Sequence, residues 1–203
     1  MNQIKTDDHD HELIEQFKRG STSAMEQIVE KYEKTLFNFG LRMCGHIQDA
    51  EDIMQETFLN AFKSLKDFRE ETKLKNWLFR IAANACYRQR RKKKFEPDRE
   101  LSLESLTNSE GTDQQFDIPD WTNDPAKDLL RSELKDVILA AVQKLPPKYR
   151  MIFNLRDIEG FNTEETSEIM GITTQSAKTR LHRARLFLRN EITDHYKKGK
   201  TDA

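Results

Sequence analysis

The sequence is short of the residues from which metal sites and membrane spans are made. Its 203 residues include two cysteines, Cys44 and Cys86, in separate helical segments, with no second Cys or His at zinc-ligand spacing. His9 and His11 sit near the start without a fixed third ligand, so no metal is expected. No apolar stretch approaches the roughly 18 residues that a membrane span needs. Asp7, Asp8, His9, Asp10 and His11 stand where a signal peptide would carry a basic start and an apolar run. The expectation is a reduced, cytoplasmic chain with no membrane insertion. Apolar material is scarce as well: hydrophobic residues make up 36% and charged residues 34%, against about 45–50% and 25% in typical domains. That balance excludes one large core. It favours small helical domains, each helix burying a single apolar stripe, joined by a solvated connector.

What the sequence does have is charge, and it is sorted by sign although the net charge is -1. Arg88, Arg90, Arg91, Lys92, Lys93 and Lys94 form one basic run, and Lys178, Arg180, Arg183, Arg185 and Arg189 a second. Between them, from Phe95 to Pro125, nine carboxylates face Arg99 alone, a local net of -8. This stretch also lacks periodicity and is rich in Ser, Thr, Asn, Asp and Pro, the composition of a disordered linker.

Residues 8–94 repeat apolar positions at helical spacing and divide into four helices. The first, with Leu13, Ile14 and Phe17, stops near Gly20. The second carries Ile28, Val29, Tyr32, Leu36, Phe39 and Met43, is capped by Ser23 with Glu26 or by Ser21, and ends at Gly45. The third, about Asp49 to Lys66, turns Ala50, Ile53, Thr57, Phe58, Ala61, Phe62 and Leu65 inward and Asp52, Gln55, Glu56 and Asn60 outward. The fourth starts near Thr72. It buries Leu74, Trp77, Leu78, Ile81, Ala82 and Ala85, and carries Asn76, Arg80, Asn84, Tyr87 and Arg91 on another face. Residues 126–197 form a second helical domain. Pro147 can open a helix, because its missing N–H is not needed there. Asn162 with Glu165, then Gly171, then Thr173 mark a helix, a turn and a longer helix with Ala177, Leu181, Ala184 and Leu188 inward, which is helix-turn-helix spacing.

The second helix of such a unit fits the DNA major groove, its outer side chains reaching base edges and phosphates. Here those side chains are Gln175, Lys178, Thr179, His182 and Arg183. In the first domain Phe68, Trp77, Phe79 and Tyr87 alternate with Arg69, Lys73, Lys75, Arg80 and Arg88, a pattern suited to stacking bases and neutralising backbone, although Trp77 also belongs to the apolar stripe. Asp49, Glu51, Asp52 and Glu56 form a carboxylate cluster, but no nucleophile, metal partner or phosphate loop accompanies it, so no catalytic residue and no cofactor is expected. The rival readings are a stand-alone helix-turn-helix regulator and a helical nuclease using those carboxylates.

Five segments, in this order, resemble the extracytoplasmic-function (ECF) sigma factors, the smallest group of the sigma-70 family. Asp49 to Phe58 (DAEDIMQETF) is similar to the family's polymerase-binding helix, and Phe68-Arg69 followed by Trp77 to Asn84 (WLFRIAAN) to its -10 recognition segment. Leu145-Pro-Pro, Leu155 to Gly160 (LRDIEG) and Lys178 to Arg185 (KTRLHRAR) are similar to its -35 domain. The resemblance implies an all-α chain of two small helical domains: region 2 over 8–94, an acidic linker over 95–125 and region 4 over 126–197. It implies that Asp52, Gln55, Glu56 and Leu59 meet the clamp helices of the largest subunit of core RNA polymerase, with the flap region as a further contact. Phe68, Arg69, Asn76, Arg80, Asn84, Arg88 and Arg91 would handle -10 DNA, residues 68–76 forming a loop that captures a flipped base. Arg156, Gln175, Lys178, Thr179, His182 and Arg183 would handle the -35 element of promoter DNA. An anti-sigma protein is a further partner in this family, and the linker threads the polymerase cleft.

Overall fold

The computed structural model describes residues 8–93, 101, 102, 106 and 137–201. The described backbone is helical apart from turns, with no strand among those residues. In the N-terminal module α1 spans Asp8–Lys18, α2 Thr22–Cys44, α3 Ile47–Ser64 and α4 Leu74–Lys93, and a single 3-10 turn, Leu65–Asp67, follows α3. In the C-terminal module α5 covers 137–144 and α6 Pro147–Phe153, running on through a π turn, Asn154–Ile158. The helices α7, Thr163–Met170, and α8, Thr174–Thr201, complete it.

The boundaries follow local chemistry. Gly45 ends α2 at φ 78, a left-handed conformation that glycine adopts without strain, and its N–H closes on Leu41 O at 2.7 Å. Asn162 and Glu165 form a reciprocal capping box at the start of α7, at 2.8 and 3.0 Å. Thr173 accepts from the Ser176 N–H and so caps α8. At α2 the expected cap does not form: Ser21 holds the N-cap position without a side-chain hydrogen bond, and Ser23 lies inside the helix. Gly40 serves packing rather than conformation, since a Cβ there would sit 3.1 Å from Ala50 Cα and prise α2 from α3.

The expected inward sets of the N-terminal module are buried or, at Val29, Trp77 and Ile81, half-buried, and Phe62 departs from them. Phe62, assigned to the interior of α3, is 50% exposed. Its ring meets Phe17 edge-on at 5.5 Å and lines an open groove with Met25 and Val29 of α2. Phe62 lies at the edge of the α3 stripe, three positions after exposed Leu59, while Ala61 and Leu65 on the inner side are buried.

The two modules are packed together. One apolar cluster runs from Leu36, Phe39, Leu78 and Phe79 of the first into Met151, Leu155, Phe161 and Ile169 of the second. Phe39, Phe79 and Phe161 make an edge-to-face ladder across the junction, with centroids 5.1 and 4.9 Å apart, a preferred aromatic geometry. Arg150, 2% exposed, reaches across to Met43 O at 2.7 Å and also donates to Gln143 O and Leu145 O. One guanidinium thereby satisfies carbonyls at the C-terminal ends of both α2 and α5, groups that have no partner within their own helices. Gln143 supplies Arg42 O in the same way at 2.8 Å. A smaller core lies behind α8, where Ala141, Val142, Leu145, Tyr149, Phe153, Ala184 and Leu188 pack together.

Most of the acidic linker lies outside the described residues. Of its described members, Leu106 is buried with its carbonyl accepting from Asn190, and Leu101 packs on the smaller core with its N–H donated to Tyr149 Oη.

Candidate functional site

Three surfaces carry the residues singled out from the sequence. On α3, Asp52, Gln55 and Leu59 are exposed along one stripe, Leu59 at 61%. Glu56 belongs to the same face but is tied to Arg88 of α4, which donates from Nε at 3.0 Å and from Nη2 at 2.7 Å. Two residues assigned to different partners therefore hold each other here. Phe62, three positions on from Leu59, is also exposed. The carboxylate cluster dissolves on inspection: Asp49 is buried and accepts from Gln89, and Glu56 is paired. No group of three metal-capable side chains occurs among the described residues.

The second surface is the loop after α3 and the start of α4. Arg69, Arg80, Asn84, Arg88 and Arg91 are exposed. Phe68 is instead buried, its ring 4.8 Å from that of half-buried Trp77. Asn76 is 6% exposed, because the N-terminus of α7 covers it. Lys73 reaches Glu165 at 3.0 Å, and Lys75 donates to Glu159 O at 2.9 Å while lying 4.7 Å from the Phe161 ring centroid. Burial pushes the Glu165 carboxyl up, but the Asn162 N–H, Lys73 and Asn76 outweigh it and leave the group below its ordinary value. The polar face read along α4 is thus divided: its first turn belongs to the junction and the rest faces solvent.

At that junction Arg42 and Glu159 form an ion pair, and Arg42 Nε also donates to Asn154 Oδ1 at 2.8 Å. Desolvation lowers the pKa of Arg42 and raises that of Glu159, and in each case it exceeds the help given by the opposite charge. Both ions are therefore less favoured here than in water, so the pair sets geometry more than it adds stability. Arg42, Arg150, Asn154 and Glu159 escaped sequence reading. Arg42 and Glu159 are 117 positions apart, and no periodic signal links them.

Loop residue Glu70 is a second surprise. Its carboxylate accepts from Lys18 Nζ at 2.9 Å and pairs with His11 Nδ1 at 2.6 Å. The hydrogen bond and charge of Glu70 raise the His11 pKa above 6.5. The charged contact is accordingly complete below pH 6.5 and is lost as pH rises through the elevated folded value. In an NMR titration of the full chain, Glu70→Gln should bring the His11 midpoint back down toward 6.5; an unmoved midpoint would count against the pairing.

The third surface is α8. Gln175, Lys178, Thr179 and His182 are exposed and Arg183 is half-buried, while Ala177, Leu181, Ala184 and Leu188 are buried, as the spacing predicts. Gly171, at φ 63, makes the turn into this helix. Arg156 is occupied within its own module, donating to Phe161 O. Arg185, outside the expected contact set, is held by Asp157 through two hydrogen bonds of 2.9 and 2.6 Å. The cysteines, remote in sequence, meet between α2 and α4: a hydrogen bond to Cys44 and burial raise the Cys86 thiol well above its ordinary value.

A helix-turn-helix packed on a four-helix module with an exposed acidic and apolar face defines the sigma-factor class. Residues 28–96 match Sigma-70 region 2, and residues 135–188 match Sigma-70, region 4. The chain is 35% identical to the ECF RNA polymerase sigma factor SigW of Bacillus subtilis, covering 89% of this chain and 95% of that one. It is 30% identical to the RNA polymerase sigma-H factor of Pseudomonas aeruginosa, covering 89% and 92%. In fold it is similar to CnrH in complex with the cytosolic domain of CnrY, with a TM-score of 0.65, 23% identity and coverage of 92% and 99%. It is also similar to the sigma factor RpoE in complex with the anti-sigma factor NepR from Bartonella quintana, at 0.59, 23%, and 83% and 96%. The chain belongs to the ECF group of the sigma-70 family and is a sigma factor directing transcription initiation. The family is one of initiation factors rather than enzymes.

Proposed function

We propose that the chain joins core RNA polymerase through the α3 face, Asp52, Gln55, Glu56 and Leu59, and brings it to promoters read at two elements. Phe68, Arg69, Asn76, Arg80, Asn84, Arg88 and Arg91 serve the -10 element. Arg156, Gln175, Lys178, Thr179, His182 and Arg183 serve the -35 element. Residues 8–94 and 126–197 act as the two units and 95–125 as their connector. The chain has no catalytic role and works in the cytoplasm, where its polymerase is. An anti-sigma protein is a further partner, a reading supported by the similar fold of RpoE, whose structure is a complex with the anti-sigma factor NepR.

The observation that carries this reading is the outer face of α8. Four hydrogen-bonding or basic side chains in two turns are exposed, and the buried face opposite fixes their direction. A stand-alone DNA-binding regulator would share that helix but has no use for an exposed Leu59 beside Asp52 and Gln55, so co-purification with core polymerase separates the two readings. The direct test is transcription by core polymerase and the purified chain from a random promoter library. Start sites sharing paired upstream elements support the reading, and no specific initiation from any template would end it. Lys178→Ala and Arg183→Ala should each weaken -35 binding by about 1–3 kcal/mol for a base contact, with a flatter salt dependence for a phosphate contact. Unaltered binding at two salt concentrations would remove α8 from the interface.

A further inference from the structure

Among the described residues Glu70 is the one non-glycine with positive φ, at 57. That conformation is strained for a side chain bearing a Cβ and is easy for glycine. A glutamate placed in such a turn points to a task for its carboxylate. Both oxygens are engaged, Oε1 by Lys18 and Oε2 by His11, which lie about two turns apart on α1. Helix α1 is a firm anchor, with Leu13, Ile14 and Phe17 buried in the main core.

Three acids lie in this turn, of which Asp67 and Glu71 are exposed while Glu70 is held from α1. Arg69 flanks it and is exposed, as a loop that approaches a polyanion requires, while Lys73 is held by Glu165. A bare Glu70 would repel phosphate. Bound by one lysine, and by one imidazolium in mildly acidic solution, its charge is cancelled before DNA arrives. Glu15 is a further acid at this corner, 3.2 Å from Lys18 and 3.9 Å from Arg19.

We propose that Glu70 is a positioning residue for -10 recognition: clamped to Lys18 and His11 of α1, it holds the loop 68–73 in the shape that receives the flipped base and hides its own charge from the DNA. This rests on the reading that the loop captures a base, and it adds α1, which had no part in promoter recognition, to the specificity apparatus. Sequence alone gives no hint of it, because Lys18 and Glu70 are 52 positions apart.

The test uses the full chain with core polymerase on forked promoter templates carrying each of the four bases at every non-template -10 position. Glu70→Gly removes the carboxylate while relieving the backbone, so thermal stability and polymerase binding should hold. Discrimination at the captured position should fall by about tenfold, within the range that a base contact is worth. Lys18→Met should act in the same direction, and Lys18→Arg, which keeps the ion pair, should restore discrimination. Glu70→Gly with full base preference, or Lys18→Met indistinguishable from Lys18→Arg, would overturn the clamp. Phe68→Ala and Asn76→Ala separate the two levels of the argument. If they abolish discrimination while the Glu70 and Lys18 variants keep it, the clamp alone fails; if they too change nothing, the loop reading fails and takes the clamp with it.

Discussion

Leu59→Asp should leave the chain folded and reduce its affinity for core polymerase by about 30-fold or more, the effect of losing a contact worth 2 kcal/mol. Leu59 is 61% exposed at the middle of a helix whose opposite side is fully packed. Its removal opens no cavity, so the stability change should stay near 0.5 kcal/mol, the scale of surface and helix-propensity effects. An exposed leucine beside Asp52 and Gln55 gives the arrangement expected of an interface: an apolar anchor within a polar rim. Circular dichroism of the variant and a pull-down with core polymerase measure the two quantities separately. Wild-type recovery of polymerase would move the contact off this face.

Arg42→Ala and Glu159→Ala should each open the packed arrangement, because either leaves one ion buried without its partner. Breaking a buried pair in this way costs about 3–5 kcal/mol, enough to shift an equilibrium between packed and separated modules more than 100-fold. Small-angle scattering should then report a larger radius of gyration. Glu159→Ala is the cleaner variant, since Glu159 lies outside the α2 cap that Arg42 adjoins. An unchanged radius for both would mean that the apolar ladder from Phe39 to Phe161 holds the modules without help from the charges.

The two kinds of contact differ in how far the sequence displays them. The helices and their ends are legible because each is decided within a few residues: Gly45 and Gly171 by their lack of Cβ, Asn162 by the Glu165 three positions on, and Pro147 by its missing N–H. The α8 face is legible for the same reason, since burying Ala177, Leu181 and Ala184 leaves Lys178 and His182 no direction but outward. Phe62 misled the reading because it sits at the edge of the α3 stripe, between buried Ala61 and Leu65 and exposed Leu59, where periodicity does not fix the side. Asn76 lies on a polar face that periodicity assigns to solvent, yet α7, from the far half of the chain, lies over it. Phe68 and Glu70 sit in a turn where no repeat exists to read. Pairs such as Arg42 with Glu159, and Lys18 with Glu70, are set by tertiary packing between residues that no local rule connects.

The covered position of Asn76 also sets how the free molecule meets anything that must touch this side chain. Such a partner encounters only the fraction of copies whose halves have come apart, and its apparent affinity is scaled down by that fraction. With one copy in about a hundred open, a nanomolar contact would behave as a tenth-micromolar one. The outer side of α8 stands open in the packed chain, so the -35 contacts proposed for it carry no such handicap and a solitary copy is ready at one end while shut at the other.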